Sequence, residues 1–466
     1  MRSLGTTFLT ALTSLLVLLP AAPAAGAGLP ESWDKGYTFT AWWRDHYAGP
    51  TAEDSLGQMV ASNPNSVAFI ATWYTDDLRD STITARSDHT PTDASLAAIV
   101  AKAEAKGLRT FLRPLVDSYS GGWRGDYEPD DPAAWFRSYR RFIFHYARLA
   151  RRLDVDVLAV GTELKSMTAR EYAPKWRSII AGVRARFPGK LTYGGVWGDQ
   201  VDWWDALDYY GINWYQALAS ASRPGDNTLP PGEARLDEDD IVARWSSFTD
   251  EYGITYNHLE WLQQQFERWR KPILFNELGY PSKRESLLTP FSWFTPTDTV
   301  DLAVQARAYR AAFRALADKP WVAGVYLWQW SWNDAGVDPA TDTDHSPQNK
   351  PAERSIAAWF AGRHARRPAG RARTTLALDV QIGKRRKVAT MVRVRGRVRG
   401  ASRGAVVLRF ACAGSRRVRT SRVRADGRFT ATVRLPTCRG LRVAARFSGT
   451  SDAAPSRARW AWPRPS

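Results

Sequence analysis

The chain has 466 residues, with 65 Lys+Arg against 47 Asp+Glu and a net charge of +18, enough length for two or three domains. The charge is unevenly spread: residues 371–466 hold 25 basic and 3 acidic residues, a net of +22, which leaves 40 basic and 44 acidic residues, a net of −4, in the rest. A nucleic-acid signal is therefore excluded for the larger part, and the two parts are separate physical objects. Neither cysteine, Cys412 or Cys438, lies before residue 371, which excludes thiol catalysis and cysteine zinc sites there.

The first element is an export signal. Arg2 precedes an apolar run from Phe8 to Leu19, too short to span a bilayer, and Ala25-Gly26-Ala27 suits a signal peptidase. Residues 1–27 are read as a signal peptide, which predicts a secreted, extracellular protein, cell-wall associated if its basic part adheres there. No later stretch is apolar for long enough to cross a membrane.

From Gly36 to Phe360, eight strand-like runs follow: 36–42, 66–74, 109–117, 156–164, 190–197, 207–215, 272–280 and 322–330. Most are continuous apolar runs, the pattern of a parallel sheet buried on both faces. Helical periodicity falls between most of them. One helix starts behind a Thr92 cap and ends at Gly107; others cover 135–153, 175–187, 258–269 and 300–318. This alternation predicts a (β/α)8 TIM barrel over 28–362. A doubly wound open sheet is the alternative, but GYTFTAWWRD after residue 35 lacks its glycine-rich phosphate turn. Three long irregular segments, 217–240, 281–297 and 331–351, all follow strands. They belong at the C-terminal face, where such barrels keep their active sites.

Residues 363–374 read as a basic linker. Beyond it VRVRGRVRG (392–400) alternates valine with arginine, and further short strands with glycine turns predict a small all-β, immunoglobulin-like sandwich over 375–466. In an exported protein Cys412 and Cys438 pair as a disulfide; a loop of about 25 residues gives roughly 3 kcal/mol on the chain-entropy model. The arginine-dense face is either adhesive toward an anionic polymer, such as cell-wall phosphate polymers or acidic polysaccharide, or merely solvated. Nucleic acid is not expected, because aromatics do not interleave with the charges.

The chemistry sits at two strand ends. Glu163 ends the fourth apolar run and Glu277 lies in PILFNELGY of the seventh. In a closed barrel both belong to one mouth. Two carboxylates facing across a pocket can cut a glycosidic bond: one protonates the departing oxygen, the other attacks the sugar carbon or activates water. Twenty of the 22 tryptophans precede the tail. Trp43, Trp73 and Tyr74 are among the aromatics at strand ends, where flat rings stack on sugar C–H surfaces.

GTEL (161–164), PILFNELGY (272–280), TWY (72–74), HTPTD (89–93), LRPLVD (112–117) and GGWRG (121–125) together resemble glycoside hydrolase family 113, whose members are β-mannanases of clan A. The resemblance spans most of 36–360. It implies a retaining mechanism with Glu163 as acid/base and Glu277 as nucleophile, acting on β-1,4-mannosidic linkages in mannan, glucomannan or galactomannan, with no cofactor and no metal. Thr162 stands where many clan members place Asn. Under this resemblance Tyr215 hydrogen-bonds the nucleophile, and Arg113 either keeps it ionised or forms an ordinary barrel-core ion pair. Asp117, Trp123 and Arg124 contact sugar hydroxyls, and Asn213 and Trp328 floor the central subsite. His89 and His145 either line the cleft or are satisfied structural histidines. The acidic loop 334–344 lacks the glycine and terminal glutamate of a calcium loop and is read as a solvated lid. The expected assembly is a monomer. The rivals are a β-glucanase or other β-glycan hydrolase of the same fold, and a carbohydrate-binding surface protein without turnover.

Overall fold

A computed structural model describes residues 28–293, 298–334, 337–362, 375–382, 390–399, 405–412, 415–435, 441–447 and 456–461. The expected signal peptide and linker lie outside these. The chain divides into two compact units, Met1–His364 and Ala365–Ser466.

The first unit is the barrel. Its strands are β1 (Asp34–Thr40), β2 (Ser66–Thr75), β3 (Arg109–Ser118), β4 (Val157–Thr162), β5 (Lys190–Gly194), β6 (Tyr210–Trp214), β7 (Ile273–Leu278) and β8 (Val322–Ser331). All eight predicted runs form strands. They pair in parallel in the order β5-β4-β3-β2-β1-β8-β7-β6. A bridge between Gly195 and Ile212 closes the ring from β5 to β6. The strands bury both faces. Val67, Phe69 and Ala71 of β2 pack outward on the helices. Ala68 points inward with Phe111, Val157, Ala159, Leu274 and Tyr326, and nearer the mouth Ile70, Leu115 and Trp328 form a smaller cluster.

Among the described residues eight α-helices cover the barrel: α1 (Pro50–Ala61), α2 (Asp93–Ala105), α3 (Pro132–Arg152), α4 (Ala173–Arg184), α5 (Glu238–Ser246), α6 (His258–Trp269), α7 (Leu302–Leu316) and α8 (Pro351–Phe360). Thr92 caps α2 by accepting from Ser95 N–H at 3.0 Å. Periodicity had marked α2, α3, α4, α6 and α7 but not α1, α5 or α8. The last two are short, and Gly57 interrupts α1. The cue for α5 is local: Asp237 and Asp240 form a reciprocal capping box.

Two buried lysines tie down the long segments at the mouth. Lys283 Nζ donates to Asp298 at 3.0 Å and to the Trp293 carbonyl at 3.0 Å. Lys350 Nζ, fully buried, donates to Ser282 at 2.9 Å and pairs with Asp342 at 2.8 Å. The segment after β8 is thus tied to the barrel from Asp342 onward, while Val337, Asp338, Ala340 and Thr341 of the acidic loop are exposed. Among the described residues no group of His, Cys, Asp or Glu is arranged to hold a metal ion, and no helix is long and apolar enough to cross a membrane.

The second unit has seven described strands: β9 (Thr375–Ile382), β10 (Thr390–Arg399), β11 (Ala405–Cys412), β12 (Ser415–Arg422), β13 (Arg428–Leu435), β14 (Arg442–Phe447) and β15 (Ser456–Ala461). They form two antiparallel sheets, β9-β10-β13 and β12-β11-β14-β15. Val392, Val394 and Val398 are buried with Phe429, Val433, Leu408 and Phe447, while Arg393, Arg395 and Arg397 between them are exposed. The period-two pattern does what it predicts. Cys412 is buried at the end of β11; Cys438 lies outside the described residues, and the expected pairing with it.

Candidate active site

The mouth of the barrel gathers polar side chains that the strands would otherwise bury at a cost. Glu163 leaves β4 in the left-handed region, with φ at 54°, a conformation costing a non-glycine residue about 1–3 kcal/mol. Two bonds hold the turn. Its N–H donates to the Gly194 carbonyl at 2.8 Å, and the next N–H, of Leu164, donates to the Tyr193 hydroxyl at 2.8 Å.

Glu277 is aimed by an irregularity. In β7, Leu274 faces the barrel interior, so strict alternation would turn Glu277 outward toward the helices. The register slips instead: Phe275 pairs with Ile212, but Glu277 pairs with Asn213. A bulge of this kind re-aims a side chain, and the carboxylate enters the mouth, 5 % exposed. There Arg113 Nη2 donates to its Oε1, and the Tyr215 hydroxyl donates to its Oε2 at 2.6 Å. Arg113 is fully buried inside β3 and also donates to Thr38 Oγ1 at 2.9 Å. Burial, then the charge of Glu277, hold the Tyr215 phenol protonated far above its usual range.

Glu163 has a different environment. Asn213 Nδ2 donates to Oε1 at 2.8 Å and Trp123 Nε1 to Oε2 at 3.2 Å. Arg124 Nη1 stands 3.7 Å from Oε2. Burial, reinforced by the charge of Glu277, pushes the Glu163 carboxyl above its ordinary value; Arg124 and the two hydrogen bonds oppose this without reversing it. Gly194 makes room, since a Cβ there would lie 3.0 Å from Asn213 Oδ1 and 3.2 Å from Thr162. That Oδ1 is buried with no hydrogen-bond partner among the described residues.

The structure places the other predicted residues as follows. Arg124 forks onto Asp117 at 2.6 and 3.1 Å, so the two engage each other as well as facing the mouth. Trp328 lies at the floor with Trp42, ring centroids 6.3 Å apart. Tyr74 is buried against His89 and Tyr119; burial, with the Asp117 charge next, pushes its phenol up to about 12. Trp43 is exposed at the rim beside His46 and His89. Trp73 is not brought to this group: its ring packs on Phe142, His145 and Tyr146 of α3, because it alternates with inward-facing Ile70, Thr72 and Tyr74. His145 is also outside the mouth, paired with Asp93 at 2.8 Å.

Several contributors were not anticipated. Thr38 is a polar residue at an inward position of an apolar strand, which is a readable signal. Trp293 and His345 come from irregular segments and stand 6.2 Å from Trp328 and 6.1 Å from Tyr215, centroid to centroid; nothing periodic marks them. Asp199 lies in the loop after β5, where burial, with the Glu163 charge adding to it, pushes its carboxyl up to about 7.

The family model described as Glycoside Hydrolase Family 113 matches residues 36–350. No curated protein matches the chain. Among solved structures, a complex of a GH113 β-1,4-mannanase is 26 % identical with a TM-score of 0.59, covering 71 % of this chain and 99 % of its own. A GH113 β-mannanase from Alicyclobacillus acidocaldarius in complex with ManMIm is 27 % identical with a TM-score of 0.59, covering 71 % and 97 %. The matched span contains both glutamates and all but the first two residues of the strand ring, so the chain belongs to glycoside hydrolase family 113 and its barrel is a glycoside hydrolase.

Proposed function

We propose that the barrel is a retaining endo-β-1,4-mannanase acting on mannan, glucomannan or galactomannan, with Glu277 as nucleophile and Glu163 as acid/base. The observation that carries the mechanism is the strand β6 and its exit. Asn213 and Tyr215 are two residues apart; the first binds Glu163 and the second Glu277. Same-side residues so spaced lie roughly 7 Å apart, and both reach inward, which favours the short separation of about 5–5.5 Å used for direct attack. The Glu277 carboxylate bonds to the anomeric carbon as the glycosidic C–O bond breaks, and the Glu163 proton passes to the departing oxygen. In the second half, Glu163 takes a proton from water, whose oxygen displaces Glu277 and frees the sugar. The charge of Glu277 favours the protonated acid at the start. Once Glu277 is esterified that charge is gone, and Glu163 releases its proton more readily, as its role as base requires.

The sugar rests on the solved relatives, which are mannanases. The enzyme is expected to release reducing ends from mannan, glucomannan and galactomannan faster than from β-glucans, with the β anomer of the product appearing first by NMR. Faster turnover of a β-glucan would move the substrate to glucose polymers, and an α anomer first would replace the retaining route by an inverting one. The same proposal includes secretion behind residues 1–27, a Cys412–Cys438 bond, a monomeric enzyme, and adhesion of the basic unit to an anionic cell-wall polymer.

Arg124→Met gives a pH test of the acid. The cation holds the Glu163 proton affinity down, so its removal lets the acid form persist to higher pH. Freeing the Asp117 charge acts in the same direction. The alkaline limb of kcat/KM is expected to move up in pH; a downward shift would remove Glu163 from the acid role.

A further inference from the structure

The second unit carries a surface that the hydrolase reaction does not use. On β10, Arg393, Arg395, Arg397 and Arg399 alternate with the buried valines and are all exposed. Alternate residues of a strand recur every ~7 Å on one face, and neighbouring strands lie about 4.8 Å apart. Register places Arg397 directly opposite Arg428 of β13 and Met391 opposite Arg434, with Thr432 and Thr430 beside Arg393 and Arg395. On the other side Arg395 faces Asp379 and Arg393 faces Gln381 of β9. Six arginines thus share the outer face of the three-stranded sheet with one carboxylate. No ion pair is formed by Arg393, Arg395, Arg397, Arg399 or Arg434 among the described residues; Arg428 stands 3.7 Å from Asp426 in its own turn.

This face has two features that a merely solvated surface does not need. First, like charges directly opposite each other on paired strands destabilise a sheet, yet Arg397 and Arg428 occupy such a pair. A bound row of anions would turn that cost into a gain. Second, the basic residues of 371–466 are 23 arginines and only 2 lysines. Lysine would serve solubility equally well, whereas the planar guanidinium fork matches the oxygens of phosphate and carboxylate. Among the described residues the face carries no aromatic side chain, so these strands offer no platform for stacking bases or sugar rings.

We propose that the outer face of the sheet β9-β10-β13 is a docking surface for a linear polyanion with an oxyanion on each repeat, held by guanidinium–oxyanion pairs along β10 and not by base or sugar stacking. This rests on the adhesive reading of the basic unit and assigns it to one face. It gives the enzyme a tether independent of the barrel, keeping a hydrolase of neutral polysaccharide at a charged matrix.

The test uses the full chain and three probes at several salt concentrations: long-chain inorganic polyphosphate, polygalacturonate and a DNA duplex. The quadruple variant Arg393→Ser/Arg395→Ser/Arg397→Ser/Arg399→Ser is compared with a charge-matched control, Arg409→Ser/Arg417→Ser/Arg419→Ser/Arg442→Ser, whose residues are exposed on the other sheet. Melting curves check folding, and hydrolysis of soluble mannan oligosaccharides is expected to be unchanged in both. The expected result is binding of polyphosphate or polygalacturonate that weakens at least tenfold in the β10 variant and by much less in the control. The log–log salt slope should become shallower by roughly three units. The two acidic probes distinguish phosphate from carboxylate as the recognised group. Replacing the same four arginines with lysine keeps the charge and the fold, and is expected to lose part of the affinity through the missing fork. Equal losses in the β10 variant and the control overturn the assignment to this face and leave only diffuse attraction. Binding of neither acidic polymer by the wild type overturns the adhesive reading itself. Tighter binding of DNA than of either polymer overturns the choice of partner.

Discussion

Glu277→Ala is expected to lower kcat on mannan on the order of 10⁴–10⁶-fold, the range seen when a covalent nucleophile is removed, without loss of the folded barrel. Glu163→Ala is expected to cost about 10²–10⁴-fold on the same substrate and much less on an aryl mannoside, whose leaving group needs no proton. Azide separates the two roles. Added to Glu277→Ala with an activated β-oligomannoside, it fills the gap left by the carboxylate and attacks the face opposite the leaving group, yielding the α-glycosyl azide. Added to Glu163→Ala, it attacks the glycosyl-enzyme and yields the β-glycosyl azide. Exchanged products would exchange the assignments. A near-normal rate in either variant would refute the two-carboxylate mechanism.

The second large effect is expected at Arg113. Its guanidinium is fully buried between Glu277 and Thr38. Removing one partner of a buried ion pair leaves the other uncompensated, at a cost of about 3–5 kcal/mol. Arg113→Met should therefore lower the melting temperature of the barrel on the order of 5–10 °C and reduce turnover by about 10²–10³-fold, as for loss of one aimed donor in a preorganised site. The pair can be separated from general damage. Arg113→Met/Glu277→Gln has no uncompensated charge, so it should regain most of the lost melting temperature while staying inactive. A double variant as unstable as Arg113→Met would show that Arg113 acts by filling space and not by pairing with Glu277.

These two experiments fall on residues whose types were legible but whose partnerships were not. Apolar runs marked all eight barrel strands, because a strand buried on both faces carries few polar residues away from the site. For that reason Glu163 and Glu277 stood out at once. The aim of Glu277 was not legible. Alternation along Ile273–Leu278 points its side chain at the helices, and only the slip in register against β6 turns it to Arg113. Trp73 illustrates the opposite case. It sits at a strand end like the site aromatics, but alternation with Ile70 and Tyr74 already places it in the outer layer with α3.

By itself the sequence determined the division into a near-neutral barrel and an arginine-rich sandwich, the strand ring, and the two carboxylates on which the proposed chemistry depends. These follow from composition and from short-range periodicity, and each segment carries its own signal. Only the tertiary structure decided which donors meet each carboxylate. Arg113 and Glu277 are 164 residues apart in the chain, and Asn213 and Glu163 are 50 apart. Closing a sheet of eight strands creates those neighbours, and a one-residue slip in pairing exchanges the inside for the outside, so no local pattern could contain them.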